Sequence, residues 1–545
     1  MTRKYFYGLL GMLVLGAATF SGCKKQIDAA YLNPNATVRV PIEQILPGLI
    51  GNLTGSSSAA GSAYGTANDG IQIGRYVQFW GQNTGANQFD QMGGATGTSD
   101  VLGSVWAMYY YGHGENVNKM ILWGIEEKKW DYVGVGLALR AWGMLVNTNM
   151  YGPMILREAF RPEQLVFNYE DQPEVYDSVR SICRQAIGYL NLKGDGVSRD
   201  NLAKGDAFFY NGDTEKWKKF VYAVMARSFN HLNNKAEYQP DSVLFYCNLS
   251  INVNADNATA KFANTGITGT SNFYGPLRNN VGGLRQSDFI ANLMNGTNPL
   301  FTGVPDPRAL YLLRSNPSNT LTGTRVGNGA TGLPVAIQPQ NFWGGLFSSL
   351  AAPTVDTAAR YIFKNGAPFP IITASEIQFM KAEAHYYKRN KAAAIAAYRE
   401  GISLNFDLLL SDYNSNVPVA NQITPANKAA YLANPRVVPT PDAFSLSHIM
   451  LQKYIALYGH CPIETWTDMR RYHYIDPDPE FPAQQVYAGF VPPSPAALFI
   501  NNNQKYVYRA RPRFNSEYLY NVVTLNKFGA FALDYHTVEM WFSRK

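Results

Sequence analysis

The residues best suited to acid–base or metal chemistry are the seven histidines, at positions 113, 231, 385, 448, 460, 473 and 536. A zinc hydrolase sets two of them one helical turn apart with a glutamate between, and no His-Glu-x-x-His run occurs. A serine-hydrolase elbow, Gly-x-Ser-x-Gly, is missing as well. Gly327-Asn328-Gly329-Ala330-Thr331-Gly332 does match the spacing of a dinucleotide loop. Glycines cradle phosphate only between a strand and a helix, however, and Leu333-Pro334 cannot open a clean helix, so the segment reads as a Gly/Asn loop. The four cysteines, Cys23, Cys183, Cys247 and Cys461, have no metal-site spacing, and the last three read as buried thiols. Paired carboxylates for glycoside hydrolysis depend on a separation that only the fold sets. Glu376, Glu383, Lys381 and Arg399 read as charges on a helix surface, and Glu464, Asp468, Arg470 and Arg471 as a structural ion-pair cluster. No catalytic residue, metal or cofactor is expected.

Binding chemistry is better represented. Aromatic residues make up 13% of the chain, and Tyr and Trp join a flat apolar ring to a polar handle, which suits partly polar ligands. Three long stretches rich in Gly, Asn, Ser, Thr and Pro, from Leu53 to Asp100, Asn254 to Gly283 and Ser315 to Val355, carry Trp80, Tyr274, Phe342 and Trp343. Large rings in otherwise polar loops favour ordered, ligand-facing segments over linkers. The net charge is +7, yet no Lys/Arg block forms a phosphate-binding stripe, so nucleic acid is not an expected partner.

The N-terminus addresses the compartment. Arg3 and Lys4 precede an apolar run from Tyr5 to Phe20, which is too short for a membrane span, and then Ser21-Gly22-Cys23. Residues 1–22 read as a lipoprotein signal peptide, Cys23 as the acylated residue and 23–36 as a tether, leaving 37–545 as a single domain. That domain is read as mostly helical. Trp217, Phe220, Val221, Val224, Met225, Phe229 and Leu232 recur three and four apart, with Thr214 at the N-cap position. A second stripe runs from Tyr176 to Leu190, and Asn116 to Met150 holds two more helices. Ala374 to Tyr387 and Lys391 to Leu404 are separated by three residues and must form an antiparallel pair. Ser445 to Tyr458 is a further helix.

Several phrases then resemble the SusD/RagB family of outer-membrane lipoproteins, in its second SusD-like branch. They are Tyr151-Gly152-Pro153 with Glu158-Ala159, Val175 to Val179, and Gly205-Asp206, Gly212-Asp213 and Trp217-Lys218-Lys219-Phe220. Ser287-Asp288-Phe289, Asp306-Pro307-Arg308, Pro370 to Thr373, Lys381 to Ala384, Gln452 to Leu457 and Arg513 to Glu517 follow in order, ending at Met540-Trp541-Phe542. The resemblance implies a mostly α-helical body of tetratricopeptide-like helix pairs with a long loop-rich ligand-binding face. It implies a non-enzymatic nutrient receptor facing the cell exterior, lipid-anchored in the outer membrane. The expected partners are a glycan or peptide ligand and a SusC-like TonB-dependent transporter that receives it. Saccharide-binding members use an aromatic arc with flanking amides, so Trp80, Gln82 and Asn83 are the expected ligand contacts, with Tyr274 and Trp343 beside them. The second reading is a lipid-anchored glycoside hydrolase with an unrecognised carboxylate pair; the third is a subunit that only stabilises the barrel.

Overall fold

Helices with one apolar stripe can hide it only against one another, and this chain stacks them largely in sequence order. The computed structural model describes residues 39–54, 69–84, 89–92, 102–161, 163–264, 271–275, 283–344 and 356–545. The signal peptide, Cys23 and the tether lie outside the described residues. The described chain begins with α1 (Ile42–Thr54) and α2 (Asp69–Tyr76), followed by α3 (His113–Glu126), α4 (Trp130–Tyr151) and α5 (Gln172–Asn191). The scaffold continues through α6 (Thr214–Asn230), α7 (Pro240–Leu249) and, after the short α8 (Asp288–Asn295), α9 (Ala374–Tyr387), α10 (Lys391–Asp412), α11 (Leu446–Leu457) and α12 (Pro462–Arg471). Helix α3 packs on α4, α4 on α5, α5 on α6, α6 on α7, α7 on α9, and α9 on both α10 and α11. This is the expected mostly helical scaffold of paired helices. Two short antiparallel ribbons complete it: β1 (Trp80–Gln82) with β3 (Leu284–Gln286), and β2 (Ala258–Ala260) with β4 (Phe369–Ile372).

Local chemistry places the helix ends. The α6 cap is Asp213, not the expected Thr214, because its carboxylate accepts from both Glu215 N and Lys216 N at 3.0 and 3.2 Å. A carboxylate there also meets the positive end of the helix dipole. Helix α10 outruns the expected Leu404 because Asn405, Phe406, Leu408 and Leu409 go on burying side chains. Helix α2 and β1 fall inside a stretch that reads as loop, since Gly70 and Gly74 mask the apolar residues Ile73 and Tyr76.

The centre of the scaffold is ionic. Glu376 and Glu383 of α9, expected on the surface, are fully buried. Helix α9 has neighbours on several sides, so it has little solvent face to offer. Arg227 of α6 donates to Glu376 at 2.7 and 2.8 Å, while Arg471 of α12 reaches Glu383 at 2.6 Å and Asp468 at 2.5 Å. Lys453 of α11 joins at 2.7 Å from Asp468, and His231 lies 2.8 Å from Glu464. Burial alone would raise the Glu383 carboxyl, but the Arg471 guanidinium holds it down at about 2. Arg470, also buried, has carbonyl partners instead: it donates to Asn149 O at 2.6 Å and Tyr508 O at 2.8 Å. Of the expected cluster, Glu464, Asp468 and Arg471 are therefore part of a larger buried ionic network, and Arg470 stands outside its ion pairs.

At the end of α12, His473 ties the C-terminal segment down, with Nδ1 2.7 Å from Asp476 and Nε2 2.8 Å from Glu539. Those two carboxylates raise the imidazole to about 9. Lys545 also lies 3.3 Å from Asp476, and the Tyr508 ring packs on the imidazole.

Three outcomes are expected. Arg471→Ala strands the buried Glu383 carboxylate and should lower unfolding free energy by about 3–5 kcal/mol in a urea titration. Asp241→Ala, which removes the exposed partner of Lys388, should change it by less than about 1 kcal/mol. For His473, the folded value lies above the unfolded value of roughly 6.5, so its contribution is complete below that pH and is lost as pH rises through 9. The difference in melting temperature between the native chain and His473→Gln should therefore shrink across that window; a constant difference would refute the clamp.

Candidate ligand-binding site

Helix α2 turns into β1 through Gln78, whose backbone takes the left-handed φ of 61° and whose Nε2 donates to Val491 O at 2.6 Å. Trp80 then folds back over α2, and its indole N–H donates to Ile71 O at 3.0 Å. Only glycine fits beneath the indole at position 74, where a Cβ would stand 2.4 Å from Trp80 Cζ2. Strand β1 pairs Trp80 with Gln286, Gly81 with Arg285 and Gln82 with Leu284. Asn83 N donates to Gly283 O at 2.9 Å, and Ala330 N donates to Asn83 O at 3.0 Å. These bonds stitch together three segments far apart in sequence.

The expected rings do meet, but not as a solvent-facing arc. Trp80, Tyr274 and Trp343 are each at most 1% exposed. Trp80 stands edge-on to Tyr274 and Phe342, with centroids 6.2 and 6.3 Å apart. Phe342 stacks on Phe363 at 4.2 Å, Tyr274 reaches the same ring at 5.2 Å, and Trp343 donates its indole N–H to Phe363 O at 3.2 Å. Polar loops have few other apolar groups with which to leave water, so the rings become the loops' own core. These three rings therefore stand in the floor beneath the loops and not on an exposed arc. Asn83 is buried too, and its Nδ2 finds no hydrogen-bond partner among the described residues. Gln82 alone of the five remains half-exposed.

Above this floor lies a small recess, open to solvent and lined by Arg75, Gln82, Thr84, Phe89, Thr324 and Arg325. The buried side of Trp80 forms part of its wall. The Arg75 guanidinium lies over the Phe89 ring at 5.4 Å and donates to Gln72 Oε1 at 3.1 Å. Burial lowers it to about 10. The Gly/Asn loop closes one side as a turn in which Arg325 and Gly329 bridge, followed by no α-helix but a single 3-10 turn, Val335–Ile337. The recess thus offers fixed cations, an amide, hydroxyls and one accessible ring. Arg75, Phe89, Thr324 and Arg325 escaped sequence reasoning; the lone signal was an arginine following Gly74 five residues before Trp80.

Two other spaces are less suited. A largely apolar space of about 550 Å³ between Trp142, Leu145, Phe369, His460 and Ile463 belongs to the scaffold interior beside Arg227 and Glu464. A wide depression of about 1060 Å³ carries amides from Asn319, Asn421, Gln422 and Asn427 but no aromatic ring. Among the described residues, no His, Cys, Asp and Glu group is placed to hold a metal ion, and no helix is long and apolar enough to cross a membrane.

A family model described as SusD-like_2, starch-binding associating with outer membrane, matches residues 54–487. Among solved structures, the chain is similar to a SusD/RagB family protein from Bacteroides thetaiotaomicron. Identity is 19% and the TM-score 0.65, over 93% of this chain and 99% of that one. A SusD homologue from Parabacteroides distasonis superposes at TM-score 0.68 and 18% identity, over 92% of this chain and 98% of that one. A chitin-binding SusD homologue from Flavobacterium johnsoniae does so at TM-score 0.66 and 16% identity, with 92% and 98% coverage. At these identities the shared property is the fold. No curated protein matches the chain.

The burial of Trp80 separates stability from recognition. Trp80→Ala should cost about 3–5 kcal/mol of stability, as for other buried aromatics, whereas Gln82→Ala should leave the urea midpoint unchanged. Equal midpoints for the two variants would contradict the assignment of Trp80 to the floor.

Proposed function

Since the chain belongs to the SusD-like family, whose members are binding proteins associated with the outer membrane, we propose that it is a lipid-anchored surface receptor for oligosaccharides. On this reading Cys23 carries the acyl chains and residues 23–36 tether the helical body to the bilayer. The ligand is passed to a SusC-like TonB-dependent barrel. The observation that carries the proposal is the recess itself, where a half-buried ring and fixed amide and guanidinium donors converge on a scaffold of the family's fold. Rings take the C–H face of a sugar while donors satisfy its hydroxyls.

Hydrolysis finds no support in the ionic core. Glu376, Glu383 and Glu464 are committed to Arg227, Arg471 and His231 inside the helix stack, away from the recess. A receptor must also release its cargo, and a small recess with few polar contacts fits moderate affinity and fast dissociation.

The test is calorimetry of the processed chain against a panel of neutral and charged oligosaccharides, with chromatography for products. Binding without cleavage is expected, weakened several-fold by Gln82→Ala at unchanged melting temperature. Cys23→Ser should move the protein from the membrane to the soluble fraction, and the acylated chain should co-purify with a barrel transporter. Hydrolysis products, or no binding across the panel, would overturn the receptor reading.

A further inference from the structure

The recess contains a charge without a counter-charge. Arg75 is 7% exposed; among the described residues its Nε has no hydrogen-bond partner, and its Nη1 donates to the neutral amide of Gln72. The acids nearest to it in sequence face elsewhere. Asp69 Oδ2 accepts from Val105 N at 2.9 Å, and Asp90 Oδ2 accepts from Phe499 N at 2.9 Å and Asn502 Nδ2 at 2.6 Å. Burial pushes the Asp69 carboxyl up to about 7, with no relief from Arg75. Arg325, exposed on the opposite rim, makes no ion pair among the described residues; Asp288 acts on it only at longer range. The undescribed segments between residues 55 and 355 contain a single acid in their sequence, Asp100.

Removing a guanidinium from water without an anion is unfavourable, and folded chains ordinarily pair or hydrogen-bond such groups fully. Here burial acts on Arg75 with no opposing carboxylate. An uncompensated cation at the wall of a recess therefore gains more from an anionic ligand than from a neutral one. The Arg75 guanidinium can turn a terminal nitrogen to a carboxylate or sulfate at the recess wall, and Arg325 can reach the same group from the rim. The Phe89 ring beneath Arg75 holds the guanidinium in place and leaves the ligand's ring a surface beside it.

Resting on the receptor reading above, we infer that the recess selects acidic saccharides, with a uronate carboxylate or sugar sulfate seated between Arg75 and Arg325. The Arg75 contact sets the preference for charge, while Gln82 and Thr84 contact hydroxyls common to acidic and neutral sugars.

The test is titration of the processed full chain with uronate oligosaccharides, their methyl esters, sulfated oligosaccharides, their desulfated forms and an acidic peptide. The ester removes only the charge. Acidic forms are expected to bind at least about tenfold more tightly than their neutral counterparts, roughly the effect of one charge-assisted hydrogen bond. Arg75→Gln should bring the ratio of acidic to neutral affinity to about one, and Arg325→Gln should reduce it. Arg75→Lys keeps the charge without the fork, and should restore the preference only partly. Melting temperature checks that each variant folds.

Equal affinity for acid and ester overturns the inference and leaves the receptor reading standing. A preference that survives Arg75→Gln overturns it too. If the peptide binds through Arg75 and no saccharide does, the anion site stands and the glycan reading falls. If no anion of any kind binds, the inference falls.

Discussion

Ordering polar loops requires an apolar floor, and here the floor is a handful of aromatic rings. Fixing one backbone residue costs about 1–2 kcal/mol, whereas burying an aromatic side chain of roughly 150–250 Å² gains at most about 4–6 kcal/mol. A ring therefore offsets the ordering of only a few loop residues. Trp80, Tyr274, Phe342, Trp343 and Phe363 compensate by sharing one cluster, so that each ring anchors several segments at once. The remaining order comes from backbone bonds across the segments, as between Asn83, Gly283 and Ala330. Every feature of the recess hangs from that arrangement: Gly74 admits the indole, the indole fixes β1, and β1 sets the position of Gln82 opposite Leu284.

The scaffold under the loops solves a different problem. Four helices, α6, α9, α11 and α12, each contribute buried charge, and every carboxylate of the network has a matched cation from another element or turn. Such networks often add little to net stability compared with apolar packing, because desolvation consumes most of the Coulombic gain. Their effect on register is larger. Sliding α9 or α12 by a turn, about 5.4 Å, would leave Glu383 buried without Arg471. The helices therefore lock in a single alignment, and the loops emerge from fixed points. Rigidity in the core thus becomes precision at the recess.

Much of the scaffold was legible because helical periodicity is a local signal. Ala374 to Tyr387 agrees with α9 at both ends, since Thr373 caps it and Lys388 to Asn390 interrupt it. Reading failed where a side chain's environment came from distant residues. Glu383 looks like a surface charge until Arg471, from another helix, arrives beside it. Asp213 outcompeted Thr214 because two orphan N–H groups accept one carboxylate better than a hydroxyl one position on. The candidate site shows both sides of this limit. Trp80, Tyr274 and Trp343 were rightly grouped by composition, because rings in polar loops must go somewhere. Whether they face ligand or floor depended on pairing between residues near 80 and near 285, which periodicity does not encode.

That division between floor and rim has a consequence for binding. Because the large rings are spent on loop order, ligand affinity must come from a few groups at the recess: Arg75, Gln82, Thr84, Phe89 and Arg325. The first of these is fixed before any ligand arrives, since Arg75 is held by Gln72 and Phe89. Preorganised groups lose little freedom on binding, so a small set can still discriminate between ligands. A small set also sets a ceiling on affinity, and dissociation stays fast. On the proposed reading, selectivity would come from placing one uncompensated charge in a fixed position, and turnover from having so little else to break.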